Sequence, residues 1–456
     1  MEKFDAIIIG TGQAGPSMAA KCASEGLKTA VIEKGKFGGT CVNNGCTPTK
    51  TMVASARAAH VARRGAEFGV IINGDISVDM KLVKARKDAI VSKSNKGVEN
   101  WMKSTKNITV FEGHARFENN NTINVNGKLL TADKIFINVG GKARIPKDYE
   151  GIDVLTNANI MDLDYVPEHL IVVGGSYIGL EFGQMFRRFG SKVTIIERGD
   201  RLVKREDSDV SEGIKDILEQ EDIQFRLGAT CLKGKMENGK VVVDVDCDKG
   251  DRRVEGSHLL LAIGRVPNTG DLGLENTDIK VNDRGFIEVN DELKTNVEGI
   301  WALGDCNGQG AFTHTAYNDF EIVAANLFDN DPRRVSDRIP CYGLYIDPAL
   351  GRIGMTEEQV RASGKKALIT TRTMQRISRA REKGEANGFM KILVDAETKR
   401  ILGASILGIE GDEIIHSLLD IMYADMPYTV ISRAVHIHPT VSELIPTALH
   451  DLKPLE

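Results

Sequence analysis

Residues 5–33 and 169–197 match each other without a gap, and this repeat constrains the fold more than any other feature of the chain. The first copy reads DAIIIGTGQAGPSMAAKCASEGLKTAVIE and the second HLIVVGGSYIGLEFGQMFRRFGSKVTIIE. Gly10 pairs with Gly174, Gly15 with Gly179, Gly26 with Gly190, Lys28 with Lys192 and Glu33 with Glu197. Each copy runs through an apolar strand, a glycine turn, an amphipathic helix and a second strand, and ends on an acid. Strand, turn and helix in that order leave helix N–H groups pointing at the turn, which is a ready site for a pyrophosphate. The terminal acid suits ribose hydroxyls. One such turn would be weak evidence; two, with the acid at the same offset, predict two dinucleotide sites.

This is the Rossmann fingerprint with its context intact. The first site is assigned Gly10, Gly12, Gly15 and Glu33; the second Gly174, Ser176, Gly179 and Glu197. Ser176 departs from the middle glycine but is small enough for a backbone to approach a phosphate. Each half also closes alike. Ile135–Gly140 leads to Arg144 and Pro146, and Leu259–Gly264 leads to Arg265 and Pro267, as in closing strands of related domains. Further on, Gly299–Asp305 is another apolar strand ending in Gly-Asp. From about residue 341 there is no glycine fingerprint, and strands such as Phe389–Val394 alternate with helices around 411–425 and 440–450.

A length of 456 residues predicts more than one domain. A net charge of -5 carries no global bias towards nucleic acid. The N-terminus enters its first strand at Phe4, with an apolar run too short for a signal peptide. No apolar stretch reaches the roughly 18 residues that span a membrane. The expectation is a cytoplasmic protein, in a compartment where an oxidised cysteine pair would have to be catalytic.

Such a pair stands in GGTCVNNGCTPTK, residues 38–50, where Cys41 and Cys46 lie five positions apart. In a regular helix that spacing is about 7.5 Å of rise, whereas a disulfide needs Cα atoms closer than roughly 7 Å. The segment must be tightened or only partly helical. Asn43, Asn44 and Gly45 accept unusual backbone angles. Thr47 reads as an N-cap and Pro48 as the first helical residue, which puts Cys46 beside a helix N-terminus that favours a thiolate. Alternatives are a structural disulfide or half of a zinc site, but a zinc site usually shows two close ligand pairs. Cys22, Cys231, Cys247, Cys306 and Cys341 are scattered, so no metal site is expected.

Together these motifs resemble the flavoprotein disulfide reductases of the class I pyridine nucleotide-disulfide oxidoreductase family, which includes lipoamide dehydrogenase, glutathione reductase and mercuric reductase. The resemblance covers essentially the whole chain. It implies an α/β protein with two Rossmann-like domains, for FAD and NAD(P), and a C-terminal α+β dimerisation domain. The boundaries expected are 1–149 with 275–340 for FAD, 150–274 for NAD(P) and 341–456 for the interface of a homodimer. It assigns Gly39, Thr40, Lys50, Gly140 and Asp305 to FAD beside the first fingerprint. It assigns Tyr177, as a cover over the nicotinamide pocket, with Arg198 and Gly264, to NAD(P). Cys46 becomes the thiolate against the flavin, and Cys41, the more exposed partner, the thiol that meets substrate. Lys50 would pair with Glu181. His438, before Pro439, becomes the acid/base, oriented by Glu443 and supplied from the other subunit; thiol exchange needs such a pair to protonate the leaving sulfur. His436 stays structural.

Glu197 favours NADH, because a carboxylate against a 2′-phosphate costs about 4 kcal/mol per unit charge near a surface. Arg198, Arg201, Lys204 and Arg205 follow at once, and basic residues there serve NADPH or form a solvated loop. The substrate is a small disulfide or oxidant. No cysteine stands near residue 456, where mercuric reductases carry a pair, and no N-terminal metal-binding domain precedes the first strand, so mercury chemistry is disfavoured. Asn44 and Thr47, polar where lipoamide dehydrogenases are apolar, disfavour lipoamide. Arg57, His60, Arg63 and Arg64 would attract an anionic disulfide or form a solvated helix face. Hypothiocyanous acid is a further substrate class. A flavin redox sensor is the non-enzymatic alternative, and a flavin oxidase of single-cysteine type is disfavoured by the second cysteine.

Overall fold

The computed structural model describes residues 1–149, 151–246 and 250–456, so Cys247 lies outside the described residues. The two fingerprint units become two five-stranded parallel sheets of the same plan. In the first, Ala6–Ile9 lies between Thr29–Glu33 and Lys134–Ile137, with Ile9 opposite both Ile32 and Ile137. In the second, His169–Val173 lies between Lys192–Ile196 and His258–Leu261, with Val173 opposite Ile196 and Leu261. These strands read as continuous apolar runs because both faces of a parallel sheet are covered by helices. The fingerprint strand is central in each, so its C-terminal glycine turn opens at the middle of the sheet edge, where such folds bind ligands.

Ile300–Ala302 returns to pair with Lys134–Ile137 and completes the first sheet, carrying Gly304 and Asp305 to the same edge as the glycine turn. The two closing segments that look alike in sequence pair with each other: Gly141–Ala143 and Arg265–Pro267 form an antiparallel ribbon joining the units. Residues 341–454 add a six-stranded antiparallel sheet ordered Cys341–Leu344, Leu350–Gly354, Ile401–Leu407, Phe389–Asp395, Ala367–Thr373, Lys453–Pro454. Helices Gly411–Ile414 and His416–Tyr423 match the expected span, whereas the last helix starts at Leu444 rather than near 440.

One apolar cluster ties the three layers together. Met52 and Ala56 from helix Cys46–Arg63 meet Phe182 and Phe186 from helix Tyr177–Phe189, and Leu344, Leu350 and Leu407 from the C-terminal sheet. Burying each large side chain of this kind contributes about 1.5–3 kcal/mol, so the cysteine-bearing helix is fixed by contacts from both other parts of the chain. Among the described residues no helix is long and apolar enough to cross a membrane.

The basic residues at the far end of that helix find partners within the chain, although Arg63 stays exposed and His60 and Arg64 line an open cavity. Arg57 is paired with Asp347 and Glu385, Arg63 donates to the Arg188 carbonyl at 2.6 Å, and Arg64 holds the Gly384 carbonyl at 2.7 Å and Glu67 at the same distance. His60 faces Glu221 at 3.9 Å, and burial holds its pKa below the ordinary histidine value. Arg188, with its side chain 4% exposed, bridges Glu221 at 2.7 Å and Asp347 at 2.6 Å. Arg57, His60 and Arg188 are matched because tertiary packing brings acids from residues 221, 347 and 385 to them, whereas Arg63 and Arg64 are held by backbone carbonyls and the neighbouring Glu67. Arg188→Met leaves the half-buried Glu221 without its guanidinium partner and Asp347 with Arg57 alone, and is expected to cost about 3 kcal/mol. A melting temperature within a degree of wild type would contradict this.

Candidate active site

Cys41 is the third residue of the short helix Gly39–Asn44, and Cys46 opens the helix Cys46–Arg63. The break between them is Gly45, at φ -133° and ψ -121°. A Cβ there would lie 2.7 Å from the Thr40 carbonyl oxygen and 3.2 Å from the Cys41 Cα, so only glycine lets the two turns close on each other. The segment is therefore tightened, as the spacing requires, but its start differs from expectation. Thr47 is not the N-cap and Pro48 is not the first helical residue: Gly45 supplies the non-helical position and the helix begins at Cys46. Pro48 falls third, where its missing N–H is one of the first-turn donors without an intrahelical partner.

Both cysteines are free thiols here. The thiol of Cys41 donates to Cys46, and this hydrogen bond above all, then one from Thr313 and the charge of Lys50, draws the Cys46 pKa down to about 6. The same coupling pushes the Cys41 thiol up. Cys46 thus carries the thiolate, and its place at a helix N-terminus adds to this. Within the single chain Cys46 is exposed and Cys41 half-buried. Cys46 stands at the open end of its helix, while Cys41 lies inside a turn.

Thr313 escapes any reading of motifs. Its Oγ1 lies 3.1 Å from Cys46 Sγ, at the start of helix Thr313–Ala324, and nothing local marks it. Thr313→Val removes a hydrogen bond to the thiolate and is expected to raise the apparent Cys46 pKa by about one unit. Iodoacetamide alkylation rates followed against pH would show it; an unshifted profile would contradict it.

Lys50 Nζ meets Glu181 Oε2 at 2.6 Å across 131 residues of chain, and lies 4.3 Å from the Tyr345 ring centre. Glu181 is buried, and its second oxygen accepts from the Tyr345 N–H at 3.0 Å. Helices Cys46–Arg63 and Tyr177–Phe189 make this pair possible through their shared apolar contact. Tyr345, too, has no sequence signal.

The two glycine turns repeat each other in detail. Glu33 Oε2 accepts from the Thr11 N–H at 2.9 Å and hydroxyl at 2.6 Å, and Oε1 from the Gly35 N–H at 2.8 Å. Glu197 Oε2 accepts from the Gly175 N–H at 2.6 Å and Oε1 from the Gly199 N–H at 2.8 Å. A Cβ on Gly15 would stand 2.1 Å from the Gly10 carbonyl oxygen, and one on Gly179 1.9 Å from that of Gly174. Ser176 is in extended backbone at φ -115°, ψ -172°, which any residue adopts, so its departure from the pattern carries no strain. Gly39 packs on Gly12, beside Thr40. Asp305 accepts from Arg265 Nε at 3.2 Å, near Gly140 and Gly141 in the connecting ribbon. These cradles, closed to a side chain at Gly10, Gly15, Gly174 and Gly179 and faced by a carboxylate, fit two dinucleotides.

A cavity of about 590 Å³ opens at the second turn, lined among others by Gly174, Ser176, Glu197, Arg198, Lys233 and Gly264. Of the four basic residues after Glu197, only Arg198 lines it. Arg201 donates to the Lys204 carbonyl at 3.1 Å, and Arg205 lies over the rings of Tyr177 and Tyr342. Lys233 is a cation that the linear motif does not reveal. Tyr177 itself opens helix Tyr177–Phe189 and packs edge-on against Phe312 and Tyr342.

His438 Nδ1 lies 3.0 Å from both carboxylate oxygens of Glu443. The histidine side chain is 77% exposed, beside the fully exposed Val435 and the exposed Ile437. Among the described residues neither cysteine hydrogen-bonds to it within the chain.

Comparison with known proteins agrees with this geometry. Residues 4–319 match the pyridine nucleotide-disulphide oxidoreductase family, and residues 341–449 its dimerisation domain. The chain is 35% identical to the probable pyridine nucleotide-disulfide oxidoreductase RclA of Escherichia coli strain K12, over 99% of each chain. It is 33% identical to a dihydrolipoyl dehydrogenase of Bacillus subtilis, over 97% of this chain and 96% of that one. The solved HOCl-induced flavoprotein disulfide reductase RclA from Escherichia coli superimposes with a TM-score of 0.89 at 34% identity, covering 98% of this chain and 100% of that chain. The chain belongs to the class I pyridine nucleotide-disulfide oxidoreductase family and is an FAD-dependent disulfide reductase that uses a pyridine nucleotide.

Proposed function

We propose that this enzyme is an NADH-dependent homodimer that reduces a small oxidised-sulfur substrate at Cys41, with Cys46 as resolving thiolate and His438–Glu443 as acid/base pair. The observation that carries this reading is the thiol pair itself, with the Cys46 pKa drawn to about 6 while Cys41 is pushed up. The domain division, 1–149 with 275–340, 150–274 and 341–456, is part of the proposal; the return of Ile300–Ala302 to the first sheet supports it.

Gly10, Gly12, Gly15, Glu33, Gly39, Thr40, Lys50, Gly140 and Asp305 would hold FAD. Gly174, Ser176, Tyr177, Gly179, Glu197, Arg198 and Gly264 would hold the pyridine nucleotide. When bound, the flavin relays two electrons from the pyridine nucleotide to the cysteine pair. Cys41, as thiolate, then attacks the electrophilic sulfur of the substrate. His438 takes the Cys41 proton and returns it to the leaving group, and Glu443 keeps its ring oriented. Cys46 attacks the mixed disulfide at Cys41, which releases the substrate thiol and restores the internal disulfide. Lys50, held by Glu181, keeps positive charge beside the Cys46 thiolate.

NADH is favoured because the Glu197 carboxylate is fixed by two backbone amides at the turn and only one of the four following cations lines the cavity. The polar Asn44 and Thr47 at the cysteine pair favour a small polar oxidant over lipoamide. The RclA relative is described as HOCl-induced, which supports an oxidant-linked role such as reduction of hypothiocyanous acid.

The test is anaerobic titration with NADH and, separately, NADPH. A long-wavelength thiolate-to-flavin band is expected at lower NADH than NADPH concentration, and turnover with hypothiocyanite should exceed that with lipoamide, glutathione disulfide or Hg(II). Bleaching of the flavin with no such band would sink the disulfide mechanism.

A further inference from the structure

We propose that Arg205 is a latch on Tyr177, and that an incoming dinucleotide opens the cover by drawing Arg205 from the aromatic rings to its pyrophosphate. This deepens the reading above and rests on Tyr177 being the cover over the nicotinamide pocket.

Tyr177 stands at the start of its helix with its ring 5.4 Å from Tyr342 and 5.9 Å from Phe312, edge-on to both. Phe312 is stacked in turn on Tyr342 at 5.8 Å and on His314 at 5.3 Å. The Arg205 guanidinium closes this cage, 5.1 Å from the Tyr177 ring centre and 5.8 Å from that of Tyr342. Both distances are within reach of a cation–π contact. Among the described residues the buried Tyr177 hydroxyl has no partner at good hydrogen-bond geometry, so aromatic and cation contacts do most to hold the ring.

The rest of the cage is anchored where Tyr177 is not. The Tyr342 hydroxyl donates to Glu206, which is 1% exposed and is held by Arg352 at 2.8 Å. Arg352 and Lys391 also grip Asp207, at 2.9 and 3.0 Å. Glu206 and Asp207 thus pin the loop after Arg205 to the C-terminal sheet, and Tyr342 is a fixed wall.

Arg205 is exposed and has no carboxylate within ion-pair distance among the described residues. The loop that carries it packs on the second glycine turn: the Val203 N–H donates to the Gly175 carbonyl at 2.9 Å, and Leu202 covers Gly175. Arg205 follows two residues beyond that contact, on the segment that packs against the turn where a pyrophosphate would sit. Two negative charges outcompete two ring faces for one guanidinium, because a phosphate binds it through charge-assisted, bidentate hydrogen bonds. Release of Arg205 removes one side of the cage and frees Tyr177 to swing.

The holoenzyme tests this with two readouts that do not depend on turnover: acrylamide quenching of flavin fluorescence, and calorimetric NAD⁺ affinity at rising KCl. Arg205→Met is expected to raise the quenching constant about twofold or more, the effect of losing an ordinary cation–π contact. It is also expected to flatten the salt dependence of the NAD⁺ Kd, since one phosphate contact is gone. Arg205→Lys keeps the charge and is expected to keep the salt dependence. Wild-type values of either readout in Arg205→Met, when Tyr177→Ala does raise quenching, would overturn the latch and leave the cover standing. If Tyr177→Ala changes neither quenching nor NAD⁺ affinity, the cover reading fails and the latch with it. Flavin content of each variant reports that the fold is intact.

Discussion

Replacing Cys46 by serine is expected to lower disulfide reduction by at least about 10³-fold, because the mixed disulfide at Cys41 loses its resolving nucleophile. The same change should abolish the long-wavelength band on anaerobic reduction while leaving flavin binding intact, since the FAD cradle proposed above centres on glycines and Glu33. Cys41→Ser should lower turnover as far but behave differently in the spectrum. Cys46 then keeps its thiolate, with the serine hydroxyl in place of the Cys41 thiol as a donor, so the band persists. In the wild type the band should fade as pH falls through about 6, the value to which Cys46 is drawn. The sign follows from the group: below its pKa the sulfur is protonated and has no lone-pair charge to share. A Cys46→Ser enzyme that retained the band, or more than a tenth of its activity, would refute the assignment of the two thiols.

His438→Ala is expected to lower kcat by about 10²–10⁴-fold, the range of a lost general acid/base. The loss should be largest near neutral pH and shrink as pH rises through the thiol range, because hydroxide then deprotonates Cys41 without help. Glu443→Gln should cost less, since it alters the orientation of the ring and not its presence. The exposure of His438, beside Val435 and Ile437, leads to a sharper test. If the histidine serves the cysteines of the other subunit, a mixed dimer of Cys46→Ser and His438→Ala chains contains one site with neither change. Mixing two nearly dead homodimers should then restore about half the wild-type activity per dimer formed. No recovery in a verified mixed dimer would place the histidine with its own chain's cysteines.

Much of the site is legible in the chain because its parts are local. The glycine turn and its acid lie within one strand–turn–helix–strand unit, so Gly10, Gly15 and Glu33 predict their own geometry, and Gly174, Gly179 and Glu197 repeat it. Cys41 and Cys46 are joined by a segment whose glycine announces the kink. His438 and Glu443 are five residues apart, and the structure brings them to 3.0 Å. Where a local reading slipped, as with Thr47 and Pro48, it erred by the position of one non-helical residue, which Gly45 supplies.

What the sequence by itself determined is the set of parts: two dinucleotide units, a close cysteine pair and a His–Glu pair, each written in short-range spacing and backbone preference. Tertiary structure alone decided how those parts meet. Lys50 finds Glu181, Thr313 reaches Cys46, and Tyr342 walls in Tyr177 only because three layers share one apolar core around Met52, Phe182, Phe186 and Leu350. The basic residues show the same division. Arg57, Arg64 and Arg205 carry identical charge, yet Arg57 is spent on half-buried carboxylates, Arg64 on a backbone carbonyl and an exposed glutamate, and Arg205 lies on aromatic rings. Charge is a property of the residue, but its partner is chosen by packing between segments far apart in the chain, and no local pattern encodes that choice.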